Sequence, residues 1–272
     1  MKKDGLQKRL LIVLLVLLGI AILAVCGVLL SYHFGYKADR DAYNDLKKTA
    51  FEAAGSADPD SSGSRQAESG INLSALREVN RDAVGWIEAC NGTISGPIVS
   101  SRDDDYYLNH RFDKKEARCG TFFADRFTSP AFKGPLTIIY GHNMQDGSMF
   151  HELLRYKKEE YLRENGTFTI YTENGPEEYK IFSVFYADYY DIPWIADRCE
   201  KGSPSEGQCL DYNSRGGLGM ADYLKTVSER SLIKIDADYA GHEHEAKIAL
   251  LCTCEYTDAN NRFLVYGIHL SA

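Results

Sequence analysis

Beyond its first nine residues, what this chain has too little of is positive charge. The formal net charge is −8 over 272 residues; Lys2, Lys3, Lys8 and Arg9 against Asp4 give the first nine +3, which leaves −11 for the rest. Phosphate backbones are held by clustered Lys and Arg, so an acidic body argues against nucleic acid as a partner. A Gly-rich phosphate loop and a dinucleotide fingerprint are both missing, which removes the nucleotide-dependent classes. The sequence has no Cys-x-x-Cys pair and no carboxylate-rich loop with calcium-binding spacing. It is not poor in apolar or aromatic residues. Charged residues make up 26% and aromatics 12%, a composition that folds rather than stays disordered.

Leu10 to Leu30 is apolar throughout and carries no charge. At about 1.5 Å per helical residue it reaches roughly 30 Å, enough to cross a bilayer. The basic cluster directly before it keeps residues 1–9 in the cytoplasm and sends the rest outside. No Ala-x-Ala site follows the run, so an uncleaved single-pass anchor fits better than a signal peptide. A lipoprotein-like Leu23-Ala24-Val25-Cys26 is spoiled by Val before the Cys and by the apolar residues beyond it. Residues 31–70 read as an extracellular stalk and linker. Ala38 to Ala54 has helix formers, mixed charge and no Pro or Gly, which suggests a solvated helix. Gly55 to Gly70 is rich in Ser, Gly and Asp, a flexible tether.

From residue 71 to 272 the pattern is that of one mainly β domain. Leu73–Asn80 reads as a short helix. Val84–Ile87, Pro97–Val99, Gly120–Ala124, Thr137–Tyr140, Thr167–Thr172, Glu178–Ala187, Lys247–Cys254 and Arg262–Leu270 read as strands, with Asn91-Gly92 as a turn. Phe150–Glu164 is a candidate helix. A second, Met220–Arg230, sits in the long connection between Asp188 and Asp236, and a connection that long inside a domain usually carries function. Many short strands with one late helical insertion suggest a closed or nearly closed β-barrel with peripheral helices.

The chemistry concentrates at three places. Ala249-Leu250-Leu251-Cys252-Thr253-Cys254-Glu255 is a buried strand ending in a thiol, and Arg262 opens the next strand eight residues after Cys254. Antiparallel pairing of the two would put a nucleophilic thiol beside a rigid cationic donor fork suited to an oxyanion. The strand Leu136-Thr137-Ile138-Ile139-Tyr140 runs into Gly141-His142-Asn143-Met144, and a His just past a strand end is placed for proton transfer. Taken singly, each residue has a plainer role: core cysteine, loop donor, surface charge. His242 and His244 together with Cys252 and Cys254 offer soft ligands for zinc, a rival that a solvated His-x-His turn makes the weaker one.

The sequence Ile-Tyr-Gly-His-Asn-Met followed by Asp-Gly-Ser-Met-Phe, then Leu-Cys-Thr-Cys and a downstream Arg-Phe, resembles the class B sortases, membrane-anchored cysteine transpeptidases of Gram-positive bacteria. The resemblance runs from about Leu73 to the C-terminus and includes Asn80-Arg81-Asp82-Ala83-Val84-Gly85-Trp86-Ile87. It implies a sortase barrel with an N-terminal helix and a helix before the Cys strand. It also implies catalytic roles for Cys254, His142 and Arg262; no cofactor or metal is expected from the residues. The substrates would be surface proteins bearing a sorting signal of the Asn-Pro-x-Thr-(Asn/Gly) or Pro-x-Thr-Gly kind, joined through a thioester to a peptidoglycan or pilin amine. Asn80 and Val84 match groove-wall positions, as do Tyr190 and Ile192. Thr253 keeps a family position, Cys252 would line the groove, and Glu255 would lie near Arg262. Where the family has Thr-Leu-Ser-Thr-Cys, this chain has Leu250 first and Cys252 third, so Cys252 becomes a competitor for the nucleophile. Cys199 and Cys209 are spaced to close a small loop, though such sortases do not depend on disulfides. With ordinary pKa values of about 8.5 for a thiol and 6.5 for His, few molecules hold the reactive ionisation at neutral pH, so slow turnover is expected. A non-catalytic surface binding module on the same barrel is the alternative.

Overall fold

The computed structural model describes residues 2–51, 70–100, 103, 105–128, 131–188, 191–192, 210, 218–235, 239, 246–254 and 260–270. The expected tether, apart from Gly70, lies outside these residues, as do Tyr190, Cys199, Cys209, His242, His244 and Glu255.

Helix α1 (Lys2–Phe51) is 50 residues long and continuous, where the sequence suggested an anchor and a separate stalk helix. Between Ser31 and Ala38 there is one Gly and no Pro, and a single interior Gly weakens a helix by only about 1 kcal/mol. Within α1, Leu11–Ser31 has a mean hydropathy of 3.2 and is long and apolar enough to cross a membrane.

The chain divides into two compact units, Met1–Ala42 and Tyr43–Ala272. The last turns of α1 therefore belong to the second unit. Its mixed charge suggests a solvated stretch, but Ala50 is fully buried and Leu46 and Phe51 pack against the same core. Tyr43, Leu46 and Ala50 fall at three- and four-residue steps, with Phe51 next to Ala50, so one narrow face can be apolar while the rest stays charged. Phe51 meets Trp86 and Tyr171 edge-on at 5.7 and 5.3 Å. The Tyr43 hydroxyl donates to Gly120 O at 2.7 Å, and Lys47 pairs with Glu88 at 2.7 Å.

Helix α2 (Leu73–Val79) follows, capped by Asn72, whose side chain accepts from Ala75 N–H. Eight strands form a closed barrel: β1 (Ala83–Ala89), β2 (Ile94–Ser100), β3 (Phe122–Ala124), β4 (Leu136–Tyr140), β5 (Thr167–Thr172), β6 (Gly175–Asp188), β7 (Ala246–Cys254) and β8 (Asn261–Leu270). Their order around the barrel is β1-β2-β3-β4-β7-β8-β6-β5, and β5 returns to β1 through Trp86 opposite Tyr171. The β2–β3 and β4–β7 pairs are parallel; the others are antiparallel.

Strand β3 begins later than the sequence suggested because Gly120 has φ +60°, and a Cβ there would lie 2.5 Å from Tyr107 O. The helix expected over Phe150–Glu164 is two pieces: a 3₁₀ segment, His151–Lys157, and α3 (Glu159–Glu164). They break at Lys158, which is extended at φ −104°, ψ 122°. Leu153 and Tyr156 are buried three residues apart, the spacing that a 3₁₀ turn eclipses on one side. Helix α4 (Met220–Glu229) buries Tyr223, Leu224 and Val227 against Leu136, Ile138, Leu250, Leu264 and Tyr266 of the barrel strands.

Candidate active site

Strand pairing determines which side chains meet. Because β4 and β7 run parallel with Tyr140 opposite Cys252, their C-terminal ends leave the barrel at the same mouth. His142 comes two residues after β4, and Cys254 is the last residue of β7. Antiparallel β8 starts at that mouth, with Cys254 directly opposite Arg262. Cys254, His142 and Arg262 accordingly line one cavity of about 350 Å³, together with Asp105, Leu108, Phe123, Tyr140, Gly141, Cys252 and Thr253.

The two candidate thiols differ in access. Cys254 is half-buried, whereas Cys252 is 1% exposed and joins the core cluster that α4 covers. Residues two apart on a strand share a face, so Cys252 lies beneath Cys254 rather than across from it.

The loop carrying His142 is built from its own hydrogen bonds. Asp146 accepts from the Ser148 N–H and hydroxyl at 3.0 and 2.6 Å, Gly147 takes φ +85°, and Phe150 N–H donates to His142 O at 2.8 Å. Gly141 has no room for a Cβ, which would sit 2.6 and 2.7 Å from ring carbons of Phe150 and Phe122. The ring of His142 is fixed from a different segment: Nε2 lies 2.7 Å from Leu108 O. A carbonyl can only accept, so Nε2 carries a proton and donates it there.

Leu108 is held in turn by its neighbour. Tyr107, 1% exposed, donates its hydroxyl to Asp82 at 2.6 Å and accepts from the Asn80 amide at 2.8 Å. The other hydrogen of that amide goes to Phe112 O at 2.9 Å, and Lys114 pairs with Asp82 at 2.9 Å. Burial pushes the Asp82 carboxyl up, but the Tyr107 hydroxyl and the Lys114 ammonium outweigh it and leave the group below its ordinary range. Burial, then the hydrogen bond to Asp82, raises the Tyr107 phenol far above its usual value, so it stays a donor. On the cavity's other side, the Tyr140 hydroxyl donates at 2.8 Å to Asp125, which is fully buried.

Of the groove residues suggested by sequence, Cys252 and Thr253 line the cavity. Asn80 and Val84 are not among its lining residues; Asn80 spends its side chain on Tyr107 and Phe112. Ile192 is fully buried in the cluster beneath α4. Among the described residues no group of three His, Cys, Asp or Glu converges as a metal site. Sequence reasoning did not single out Leu108, Asp105, Phe123 or Tyr140. A backbone carbonyl such as that of Leu108 leaves no trace in residue type, whereas Asn143 stood in plain view beside His142.

Comparison with known proteins agrees with this architecture. The sortase B of Listeria monocytogenes is 33% identical over 185 residues, 67% of this chain and 67% of that protein. The sortase B of Staphylococcus aureus is 25% identical over 193 residues, 70% and 71% of the two chains. The crystal structure of Clostridium perfringens sortase B superimposes with a TM-score of 0.60 at 26% identity, covering 74% of this chain and 100% of that one. No protein-family model matches the chain.

Proposed function

From the premise that this chain belongs to the sortase B family of cysteine transpeptidases, we propose that Cys254 is its nucleophile, His142 its general acid and base, and Arg262 its oxyanion-side cation. The observation that carries this assignment is the register: parallel β4 and β7 ending together, with Cys254 opposite Arg262 across β8. The Cys254 thiolate attacks the Thr carbonyl carbon of a sorting signal of the Asn-Pro-x-Thr-(Asn/Gly) or Pro-x-Thr-Gly kind. The tetrahedral oxyanion faces the Arg262 guanidinium. Collapse breaks the C–N bond, the departing amine takes a proton from His142, and a thioester remains. An acceptor amine, from a peptidoglycan peptide or a pilin lysine, then gives its proton to His142 and displaces Cys254. Since Nε2 of His142 donates to Leu108 O, Nδ1 is the nitrogen that gives and takes the proton.

The apolar span would anchor the enzyme in the cell membrane, with its basic N-terminal residues in the cytoplasm and the barrel outside, facing surface proteins. Fluorogenic sorting peptides of both kinds test the assignment. Cleavage must vanish in Cys254→Ala and persist in Cys252→Ala, with a mass corresponding to the acyl adduct mapped to Cys254. The reverse pattern transfers the nucleophile to Cys252, and no cleavage by the folded wild type rejects both sorting signals.

A further inference from the structure

The last backbone rung between β4 and β7 is Gly141 N–H to Cys252 O, at 3.2 Å. Carbonyls two residues apart on a strand point the same way, so Cys254 O also faces the β4 side. There the strand has ended, and among the described residues no backbone N–H of the β4 side bonds Cys254 O. The side chain of Asn143 supplies the missing rung: its Nδ2 lies 3.1 Å from Cys254 O. Its Oδ1 lies 2.8 Å from His151 Nδ1. The Cys254 carbonyl can only accept, so the amide nitrogen must face it. The amide oxygen therefore faces His151, whose Nδ1 must carry the proton. Asn143 is 7% exposed, and its isolated bridge to Met149 fixes its backbone.

We propose that Asn143 is a positioning residue that extends the β4–β7 ladder by one side-chain rung and thereby holds the nucleophile's own peptide unit against the loop that carries His142. His151 orients the amide from behind. Through this latch, which joins residues 111 apart in sequence, Cys254 and His142 keep a fixed separation. The inference rests on the assignment of Cys254 and His142 given above.

The test uses steady-state cleavage of a fluorogenic Asn-Pro-x-Thr-Asn peptide by the full-length enzyme, with Asn143→Ala, Asn143→Asp, His151→Ala and His151→Asn. Asn143→Asp is nearly isosteric and keeps the acceptor for His151, but it presents an oxygen to the Cys254 carbonyl. Misplacement on the scale of 1 Å costs on the order of 100-fold in rate, so both Asn143 variants should lose 10- to 100-fold in kcat with KM within about twofold. His151→Asn returns a donor at the Nδ1 position and should recover rate that His151→Ala loses. Wild-type kcat in Asn143→Asp, or a loss confined to KM, overturns the latch. So does a drop in both Asn143 variants that disappears when rates are normalised to thiols titrated at Cys254 by methyl methanethiosulfonate. Failure of the underlying assignment is separately visible as activity retained in Cys254→Ala.

Discussion

Tyr107→Phe removes one oxygen and leaves the ring's packing in place, so its effect isolates the clamp behind Leu108. Two bonds are lost. The hydroxyl's bond to the Asp82 carboxylate is charge-assisted, and such bonds contribute roughly 1.5–3 kcal/mol. Asp82 is 37% exposed, so the lower half of that range applies. The Asn80 amide keeps Phe112 O but loses the acceptor for its second hydrogen, and orphaning a buried donor costs about 1 kcal/mol or more. The sum is about 3 kcal/mol, which in a domain of this size lowers the melting temperature by about 6–12 °C. The core cluster that holds Tyr107 also holds fully buried Trp86, so tryptophan fluorescence follows its melting. The same turn carries the carbonyl that holds His142, so kcat should fall at temperatures where the variant is still folded. A double-mutant cycle with Asp82→Asn should show strong coupling. A melting temperature within about 1 °C of wild type, where at least 2 kcal/mol is expected, would mean that the clamp contributes nothing.

Gly141→Ala pushes a methyl against the Phe122 and Phe150 rings, and overpacking of this kind costs about 1–3 kcal/mol; thermal melts should show that loss and cleavage assays a lowered kcat, since His142 is the next residue. Thr253 is 2% exposed and, among the described residues, its Oγ1 has no hydrogen-bond partner. Thr253→Val should therefore stabilise the fold by up to about 1 kcal/mol in urea titrations, and a destabilised variant would reveal that the hydroxyl is satisfied. Asp113 accepts two hydrogen bonds from Arg111 at 2.7 and 2.9 Å, with Lys115 adding to the field, and its carboxyl is held well below the ordinary range. A depressed folded-state pKa contributes stability that is present above the unfolded value of about 3.9 and lost as pH falls. Asp113→Asn should thus lower the urea midpoint at pH 7, by an amount that is constant above about pH 5 and shrinks steadily as pH falls below about 3.9 toward the depressed folded value; a loss that does not shrink on acidification would disprove the ion pair's role.

The parts of this molecule that were legible in sequence are those where residue type and spacing determine the answer without the rest of the chain. A thiol, an imidazole and a guanidinium at strand ends, with turn residues between, announce themselves because strand periodicity and loop chemistry are local. The 50-residue α1 and the buried face of Tyr43–Phe51 were harder, since Lys47 and Lys48 give that segment a solvated look while its apolar residues form only a narrow stripe. Asn80 shows what a family match leaves open: which partners its amide takes, here Tyr107 and Phe112, follows only from the fold. The supports of the site were the least legible. Leu108 acts through a carbonyl that any residue would possess, and Asn143 acts by standing where β4 has run out of backbone. Both depend on where one strand stops relative to another across the barrel, a quantity set by long-range pairing. That Cys254, His142 and Arg262 share one cavity could be anticipated from local pattern, whereas the hydrogen bonds around them arise only once the barrel has closed.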